Sequence, residues 1–319
     1  RGMNLCVASD ELKQKYLDWT PSAVQLDDII YPGNLVSSES ILSIKEMKFD
    51  QDDIVICCYP KSGRTWVSEI LSALAHDGDI DLLRSIPLVK RVKWLEWIGR
   101  TPNGPHSQLV GTGKKRIWAT HLPLRQLPFS ILEGKCKLLN VARNPKDQAV
   151  SYFHMHRISK DHGLLTGNPI GCSKSENLDL TWDEFFRLHC SGSLCWGSWF
   201  DHVMDYWHFA RNNSNAKFIF YEDMKGNLME ELKSIEDFTD MHLSTEKRER
   251  LFDHCSFDSM KENKMTNKSA SSSLDHTKGK FMRKGIVGDW KNYFTVAQSE
   301  AFDELYKTKM EEAGLEFKF

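Results

Sequence analysis

The sequence predicts an α/β fold, a single domain with a central parallel sheet flanked by helices. Three short apolar segments, 54–59, 137–143 and 217–221, are each followed by a helical stretch. Strands that alternate with helices form parallel sheets, which bind ligands at the carboxyl ends of their strands. No linker-like segment divides the chain. We therefore expect one α/β domain with its site at that edge of the sheet.

Composition and capping mark the first two strand–helix units. The run IVICCY at 54–59 is apolar, as in a buried strand, and TWVSEILSALAH at 65–76 has apolar residues at helical spacing. The run KLLNVAR at 137–143 is a second strand. Asn144 is the N-cap of the helix that follows, a proline takes its first position, and Asp147 faces its N-terminal dipole.

The remainder of the chain supplies further helices and one irregular segment. The third strand, 217–221, precedes a helix at about 225–239. Thr181 and Thr295 begin capping boxes, because a Glu or Gln stands three residues after each, and both open helices. Segment 265–280 is rich in Ser and Lys without an apolar period, which predicts a mobile loop that acts as a lid.

Charge and composition exclude several classes of function. The 319 residues include 42 Lys and Arg and 44 Asp and Glu, a formal charge of -2, so no basic excess indicates nucleic-acid binding. No apolar run approaches the roughly 20 residues of a membrane span, so we expect no membrane partner and a cytoplasmic protein. The eight cysteines form no CxxC pair and suggest no metal site.

The turn YPKSGRTW at 59–66, here named the phosphate turn, is the strongest candidate for an anion site. It joins a buried strand to a helix N-terminus, and Gly63 lets the backbone turn its amides inward beside Lys61. It is not a Walker A loop, because Lys61 precedes the glycine, which argues against a nucleotide kinase. Trp66 is placed to stack on a base, with a surface turn and a core Trp as the alternative.

Two further basic segments point to phosphate groups. Arg143 closes a buried strand, where it needs an anionic partner, either a ligand or a carboxylate, and Ser151 lies two helical turns onward. Arg283 and Lys284 precede Gly285 and suit a phosphate monoester, although a solvated basic turn is the alternative. Two phosphate clusters with an aromatic residue indicate a nucleotide with phosphate at both ends of its ribose.

The ordered motifs PKSGRTW, THLPL, VARNPKD, AVSY, YEDM and RKGIVGDWKNYFT resemble the cytosolic sulfotransferase family. The resemblance implies an N-terminal segment, 1–18, and a sulfotransferase domain, 19–319, with a P-loop-kinase-like sulfotransferase fold. It implies the donor 3′-phosphoadenosine 5′-phosphosulfate (PAPS) and the product adenosine 3′,5′-bisphosphate. The sulfuryl group would pass to a hydroxyl or amine of a small hydrophobic acceptor such as a phenol or steroid.

The resemblance also implies roles for individual residues. His121 corresponds to the catalytic base and Lys61 to the stabiliser of the leaving oxygen, with Ser151 beside them. The residues that would bind the nucleotide are Lys61, Ser62, Gly63, Arg64, Thr65, Trp66, Arg143, Ser151, Tyr221, Cys255, Phe257, Met282, Arg283, Lys284 and Gly285. Those that would contact the acceptor are Trp94, Trp97, Phe153 and His121.

Three residues depart from the family's pattern. Ala119 stands where Lys is common, Arg64 where Thr is usual before Thr65, and Cys255 where Thr is usual. A second cation on the transferring group would be missing at position 119, and we hypothesise that Arg64 supplies part of this charge. The alternative is a catalytically weak or inactive nucleotide-binding homologue.

A last motif bears on assembly. Residues Lys291–Glu300 fit the family's dimer motif KxxxTVxxxE, with Lys291, Thr295, Val296 and Glu300 at its defined positions. The resemblance therefore implies a homodimer with self-complementary pairing about a two-fold axis.

Overall fold

A computed structural model describes residues 3–20, 22–33, 35–100, 115–159, 180–311 and 313–319. The strands are β1 (Ala23–Leu26), β2 (Ile29–Pro32), β3 (Asp53–Cys57), β4 (Lys93–Trp94), β5 (Arg116–Thr120), β6 (Lys137–Ala142) and β7 (Ala216–Phe220). The helices are α1 (Asp10–Trp19), α2 (Ser38–Lys45), α3 (Arg64–Ala75), α4 (Ile80–Ser85), α5 (Leu88–Arg91), α6 (Leu95–Arg100), α7 (Phe129–Leu132), α8 (Pro145–Ile158), α9 (Trp182–Cys190), α10 (Trp199–Arg211), α11 (Tyr221–Gly226), α12 (Leu228–Thr239), α13 (Thr245–His254), α14 (Phe257–Glu262) and α15 (Val296–Met310).

The central sheet has five parallel strands in the order β4-β5-β3-β6-β7, which confirms the predicted fold class. Its middle strand is β3, in which Ile54 pairs with Ile117 of β5 and with Lys137 of β6. After β3 the chain forms β4 and β5 on one side and then crosses to β6 and β7 on the other. Such a reversal opens a crevice at the carboxyl ends of the strands.

Helices cover both faces of this sheet. Alternate side chains of β3 enter two apolar clusters, because successive residues of a strand point to opposite faces. Val55 and Cys57 belong to the cluster that contains residues of α8, α9 and α10. Ile54 and Ile56 belong to the cluster that contains residues of α3 and α12. The middle strand is therefore buried along its whole length, and only its carboxyl end is available for function.

Most of the predicted elements are present, with small shifts in their ends. The strands predicted at 54–59, 137–143 and 217–221 are β3, β6 and β7. The capping boxes at Thr181 and Thr295 are both formed. Asn144 caps α8 as expected, by accepting a hydrogen bond from the amide of Asp147.

One predicted helix is wrong, and two strands of the sheet were not predicted. The stretch expected to be helical at 225–239 is divided into α11 and α12 by Asn227, whose φ of -149 is not helical. Asn227 instead caps α12 by accepting a hydrogen bond from the amide of Glu230. The unpredicted strands are β4, which has two residues, and β5, whose sequence RIWAT has only a short apolar run between Arg116 and Thr120.

Segment 265–280 is irregular, as expected, but it is attached to the rest of the molecule near both ends. The amide of Leu88 donates to the carbonyl of Met265 at 3.0 Å. The amide of Asp275 donates to the carbonyl of Ile158 at 2.6 Å, and the side chain of Leu274 is buried in the core. These contacts hold the segment against α5 and the end of α8.

A buried ionic network connects α3 to the end of α13. Glu69 accepts hydrogen bonds at 2.8 Å from both the Arg91 guanidinium and Nε2 of His254, and Arg91 also donates to the Ser72 hydroxyl at 2.7 Å. The Glu69, Arg91 and His254 side chains are at most 1% exposed. His254 directly precedes Cys255, so the network fixes Cys255 relative to the helix that follows the phosphate turn.

We predict that Glu69→Ala lowers the free energy of unfolding by about 3–5 kcal/mol, because it leaves the Arg91 guanidinium buried without its counter-ion. Chemical denaturation measures the effect. Glu249→Ala, on the exposed side of α13, is the control and should change stability by less than about 0.5 kcal/mol. A Glu69→Ala protein as stable as this control would show that the network contributes nothing.

Candidate active site

A cavity lies where β3, β5 and β6 end, and we name it the cationic cavity. Its lining includes the predicted residues Lys61, Gly63, Arg64, Thr65, Trp66, His121, Arg143, Ser151, Tyr221, Cys255, Phe257, Met282, Arg283, Lys284 and Gly285. It also includes Lys225, Met260, Lys268, Phe281 and Ile286, which were not predicted. Segments more than 200 residues apart in the sequence therefore face one space.

The phosphate turn has the backbone conformation that its sequence suggested. Gly63 has φ +119, a value that strongly favours glycine, and a Cβ there would lie 3.0 Å from the Tyr221 ring. Lys61 also has a positive φ, of 68. The Ser62 hydroxyl is buried without a hydrogen-bond partner among the described residues, and Ser62 is not part of the cavity lining. The turn thus holds its shape through glycine and close packing on Tyr221.

A buried chain of hydrogen bonds supports this turn from behind. The Gln148 side-chain amide donates to the carbonyl of Pro60 at 2.8 Å, and its oxygen accepts from Nε2 of His189 at 2.7 Å. Burial lowers the pKa of His189 to about 3, so this imidazole is neutral. The turn is therefore fixed to α8 and α9 by neutral hydrogen bonds, which leave its cation free to meet a ligand.

No carboxylate of the described residues lines the cationic cavity beside its cations. Burial, together with the charges of Arg143, Arg64 and Arg283, lowers the pKa of Lys61 to about 7. The Lys61 ammonium lies 4.0 Å from the centroid of the Phe281 ring. Within the described residues, neither Lys61 nor Arg64 forms an ion pair. Unpaired cations in a partly buried site favour an anionic ligand.

Asp147 attaches the C-terminal turn, residues 283–290, to the start of α8. Its carboxylate accepts hydrogen bonds from the backbone amides of Gly288 at 2.7 Å and Trp290 at 3.0 Å, in addition to one from the Asn144 side chain. Arg143 extends the attachment by donating to the carbonyl of Ile286 at 2.9 Å. The second and third predicted basic segments are therefore held together by direct hydrogen bonds.

Arg283 and Lys284 share one carboxylate in this structure. Both donate to Asp289, Lys284 at 2.6 Å. Although burial opposes it, hydrogen bonds from Lys284, Arg283 and Asn292 lower the pKa of Asp289 to about 2. Asp289 therefore stays ionised and orients both cations at the edge of the cavity, where the sequence placed a phosphate.

Aromatic side chains form the other end of the cavity. The Trp66 and Tyr221 rings are 5.5 Å apart at 69°, and the Arg143 guanidinium lies 4.5 Å from the Tyr221 centroid. Gly285 has φ +64, and a Cβ there would lie 2.1 Å from the Phe257 ring. Glycine at 285 is thus required for Phe257 to pack against the turn.

His121 follows β5 and presents an unprotonated nitrogen. Its Nδ1 lies 2.6 Å from the carbonyl oxygen of Cys58, which can only accept, so Nδ1 carries the proton and Nε2 is a base. Its ring contacts Trp94 edge-on, with centroids 5.0 Å apart, and its amide donates to Glu96. Burial and then the Arg64 charge lower the pKa of His121 well below its usual value.

Ala119 and Arg64, two of the departures from the family pattern, both adjoin Trp94. Ala119 is fully buried and pairs with Trp94 across β5 and β4. The Arg64 guanidinium lies over the Trp94 ring, 4.3 Å from its centroid. Burial lowers the pKa of Arg64 to about 10, so it remains charged. The third departure, Cys255, is buried at the margin of the cavity.

A neighbouring cavity, here named the apolar cavity, contains two of the predicted acceptor residues. Trp94 and Trp97 line it together with Pro87, Leu88, Val89, Val92 and Met265. It shares Arg64, Thr65 and Lys268 with the cationic cavity. Phe153 lines neither space, since it packs against Trp182 and Phe185 with ring centroids 5.4 Å away. The structure therefore separates Phe153 from the other predicted acceptor contacts.

Some of the cavity-lining residues that were not predicted have a signal in the sequence, and others do not. Lys225 follows Tyr221 by four residues on α11, so helical spacing indicated a shared face. Phe281 directly precedes Met282, one of the residues that the resemblance assigns to nucleotide binding. Lys268 lies within the irregular segment, where no periodicity shows the direction of a side chain.

Other kinds of site are not evident in the described part of the chain. No group of three or more His, Cys, Asp or Glu side chains there could hold a metal ion. The seven cysteines that it contains are free and buried. Among its helices, none has the length and apolar content that a bilayer crossing requires.

This chain is similar to known proteins along most of its length. Sulfotransferase 1A1 of Canis lupus familiaris is 40% identical over 285 residues, 88% of this chain and 91% of the relative. Sulfotransferase 1C2 of Rattus norvegicus is 39% identical over 86% of this chain and 88% of the relative. The mouse sulfotransferase SULT7A1, solved as a complex with PAP, has a TM-score of 0.68 and 29% identity, over 91% of this chain and 95% of that one.

A more distant neighbour shares the fold alone. Retinol dehydratase, solved with retinol and PAP, has a TM-score of 0.80 at 23% identity, with 98% of each chain covered. The model of the Sulfotransferase domain matches residues 51–314, a range that begins just before β3 and includes every predicted site residue. The domain model covers most of this chain, and a relative is 40% identical over most of both sequences. This chain therefore belongs to the sulfotransferase family.

Proposed function

We propose that this enzyme transfers a sulfuryl group from PAPS to a hydroxyl or amine of a small hydrophobic acceptor such as a phenol or steroid. One observation carries the proposal: both basic segments, the aromatic end and His121 line the same cavity. A bisphosphorylated adenosine has the matching distribution of charge, with an anionic group at each end of its ribose and a flat base. The acceptor's nucleophile then meets the imidazole beside the 5′ end.

The residues present fit this donor. Arg143 Nε and Trp66 Nε1 are buried without hydrogen-bond partners among the described residues, and both side chains line the cavity. In the proposal, the 5′ end is held by Lys61, Ser62, Gly63, Arg64 and Thr65. The adenine is held by Trp66, Tyr221, Phe257, Cys255 and Met282, and the 3′-phosphate by Arg143, Ser151, Arg283, Lys284 and Gly285.

Two side chains carry the chemical step. His121 Nε2 accepts the proton of the acceptor as its oxygen or nitrogen attacks sulfur, and a neutral imidazole suits that role. Lys61 stabilises the negative charge that develops on the bridging oxygen of the leaving phosphate. Lys61 must be protonated for this, and the negative charge of the bound donor favours the protonated form.

The apolar cavity supports an acceptor that is mainly hydrophobic. Its Trp94 and Trp97 rings are 5.8 Å apart, and flat indole faces favour flat apolar molecules. Arg64 belongs to both cavities, so we propose that it supplies part of the charge that Ala119 lacks. The buried, uncharged Ala119 is also the observation that favours the second candidate function, nucleotide binding with weak or absent turnover.

We further propose a homodimer that forms through the Lys291–Glu300 motif. Lys291, Thr295, Val296 and Glu300 are all exposed, and Val296 is 75% exposed although it is apolar. The Thr295 side chain caps α15, which fixes the direction of this exposed segment. An exposed valine in a fixed position is suited to packing against the same valine of a second subunit about a two-fold axis.

We also propose residues 19–319 as the catalytic domain and the cytoplasm as its location, as the resemblance to cytosolic sulfotransferases implies. The proposed boundary falls at the end of α1. This helix packs on the remainder of the protein through Tyr16, which is buried and hydrogen-bonds His156 at 3.2 Å. The 1–18 segment would then act as a stabilising extension.

His121→Ala should reduce sulfuryl transfer by about 10²- to 10⁴-fold, because the general base is lost. Its affinity for adenosine 3′,5′-bisphosphate should remain close to wild type. Transfer is measured with radiolabelled PAPS and a panel of phenols and steroids, and affinity by calorimetry. His242→Ala, at an exposed site between α12 and α13, is the control and should keep full turnover.

The same assays separate the two candidate functions. Turnover retained in His121→Ala would remove the base assignment. A wild-type protein that binds the bisphosphate but transfers nothing to any acceptor would replace the enzyme by a nucleotide-binding homologue.

The pH dependence of nucleotide binding should show the titration of Lys61. Its pKa of about 7 in the free protein must rise when an anion binds, so binding takes up protons near neutral pH. Affinity for adenosine 3′,5′-bisphosphate should therefore fall as pH rises above about 7, by at most about tenfold per pH unit. Calorimetry in buffers of different ionisation enthalpy measures both effects.

Lys61→Arg is the matched variant for this experiment, because a guanidinium stays charged across the same range. The affinity of Lys61→Arg should depend less on pH than that of the wild type, while titration of the ligand's phosphates affects both proteins equally. Identical pH profiles would show that Lys61 does not titrate in this range.

Val296→Glu should convert the dimer to a monomer, because two carboxylates would meet at the two-fold axis. The substitution should not weaken α15, since an acidic residue in the first helical turn is favourable. Analytical ultracentrifugation measures the change. Leu42→Glu is the control, because the Leu42 side chain is exposed on α2. A Val296→Glu dimer as stable as wild type would move the interface elsewhere.

A further inference from the structure

Position 119, the second residue before His121, contributes no charge to the reaction. Ala119 is fully buried, and its register partners are Ile56 on β3 and Trp94 on β4. A transfer in which negative charge is shared among three oxygens on sulfur benefits from cations on more than one side. Because Arg64 is proposed to supply only part of the charge that Ala119 lacks, another cation of this chain is expected to supply the rest.

Lys268, in the irregular segment 265–280, lies where the two cavities meet. It lines the cationic cavity with Lys61 and His121, and it lines the apolar cavity with Trp94. Its ammonium is 4.6 Å from the centroid of the Phe281 ring, the same ring that the Lys61 ammonium approaches at 4.0 Å. Two lysines from distant parts of the chain thus share one aromatic residue beside the candidate base.

The backbone holds Lys268 in a specific conformation. Lys268 has φ +56, a left-handed value that is uncommon for a residue other than glycine. Its neighbours are fixed on both sides, since the Asn267 side chain donates to the carbonyl of Lys261 at 2.8 Å and accepts from the amide of Ser269 at 2.9 Å. Such strain persists where surrounding contacts impose it, and it is frequent at functional sites.

No carboxylate among the described residues pairs with the charge of Lys268. Burial, followed by the charges of Arg64 and Lys61, lowers its pKa well below the usual value. An anion bound among these three cations would raise the pKa of Lys268 again, because it would offset their mutual repulsion.

We propose that Lys268, in addition to Arg64, is a cation that contacts the transferring sulfuryl group, supplied by segment 265–280 in place of a lysine on β5. This inference rests on the proposed function. In the transfer, a bond forms between the acceptor oxygen and sulfur, and the bond from sulfur to the bridging phosphate oxygen breaks. The acceptor proton passes to His121 Nε2, and Lys268 keeps its protons throughout.

A direct consequence distinguishes the donor from the product. Adenosine 3′,5′-bisphosphate ends at its 5′-phosphate, near Lys61, whereas PAPS extends one sulfuryl group further toward the acceptor. Lys268 therefore contributes to the binding of PAPS and contributes little to the binding of the bisphosphate. The ratio of the two affinities measures its contact with the sulfuryl group without any requirement for turnover.

The test compares Lys268→Met, Lys268→Arg and the wild type by calorimetry with PAPS and with adenosine 3′,5′-bisphosphate. Loss of one charge-assisted hydrogen bond corresponds to about 10- to 100-fold in affinity. We expect Lys268→Met to lose this much for PAPS and less than about twofold for the bisphosphate, whereas Lys268→Arg keeps most PAPS binding. Lys278→Met, at an exposed site in the same segment, is the control and should match the wild type.

Each outcome decides between the alternatives. If Lys268→Met binds both ligands as well as the wild type does, or loses the same affinity for both, the ratio of the PAPS affinity to the bisphosphate affinity is unchanged. Either result would overturn the contact with the sulfuryl group. A wild-type protein that binds neither ligand would overturn the proposed function itself. Thermal unfolding of all four proteins detects misfolding, and Lys268→Arg then tests the role of the charge in a folded protein.

Discussion

The hydrogen bonds between Asp147 and the amides of Gly288 and Trp290 are the constraint on which the site depends. They join the start of α8 to a turn about 140 residues later in the sequence. The same carboxylate accepts from Asn144, so the helix cap and the turn are fixed by one side chain. Arg143, on one side of this junction, and Arg283, on the other, thereby line the same cavity.

Once these segments meet, their charges determine the properties of the site. Lys61, Arg64 and Lys268 converge without ion pairs among the described residues, and Arg283 and Lys284 share Asp289 at the edge. Burial, and after it the charge of the neighbouring cations, lowers the pKa values of Lys61, Lys268 and His121, and the last effect keeps the imidazole neutral. In the proposed function, an anionic nucleotide offsets this positive charge and neutral His121 serves as the base.

Local signals and motifs predicted the fold and most of the residues that line the cationic cavity. The strands at 54–59 and 137–143 were visible because strands that are buried on both faces form mainly apolar runs. The helix starts at Asn144, Thr181 and Thr295 were visible because capping depends on residues three positions apart. The break at Asn227 was missed because apolar spacing continues across it, and β5 was missed because its apolar run is short and lies between Arg116 and Thr120.

Local patterns in the amino-acid order thus established the α/β class, the phosphate turn and, through motifs, the family to which the chain belongs. They did not establish which residues meet across the sheet. Phe153 lies in the aromatic core with Trp182, whereas Lys268 reaches the cavity from an irregular segment. Helical spacing and capping are properties of neighbouring residues, but the direction of a side chain in an irregular segment depends on long-range packing, which no local pattern records.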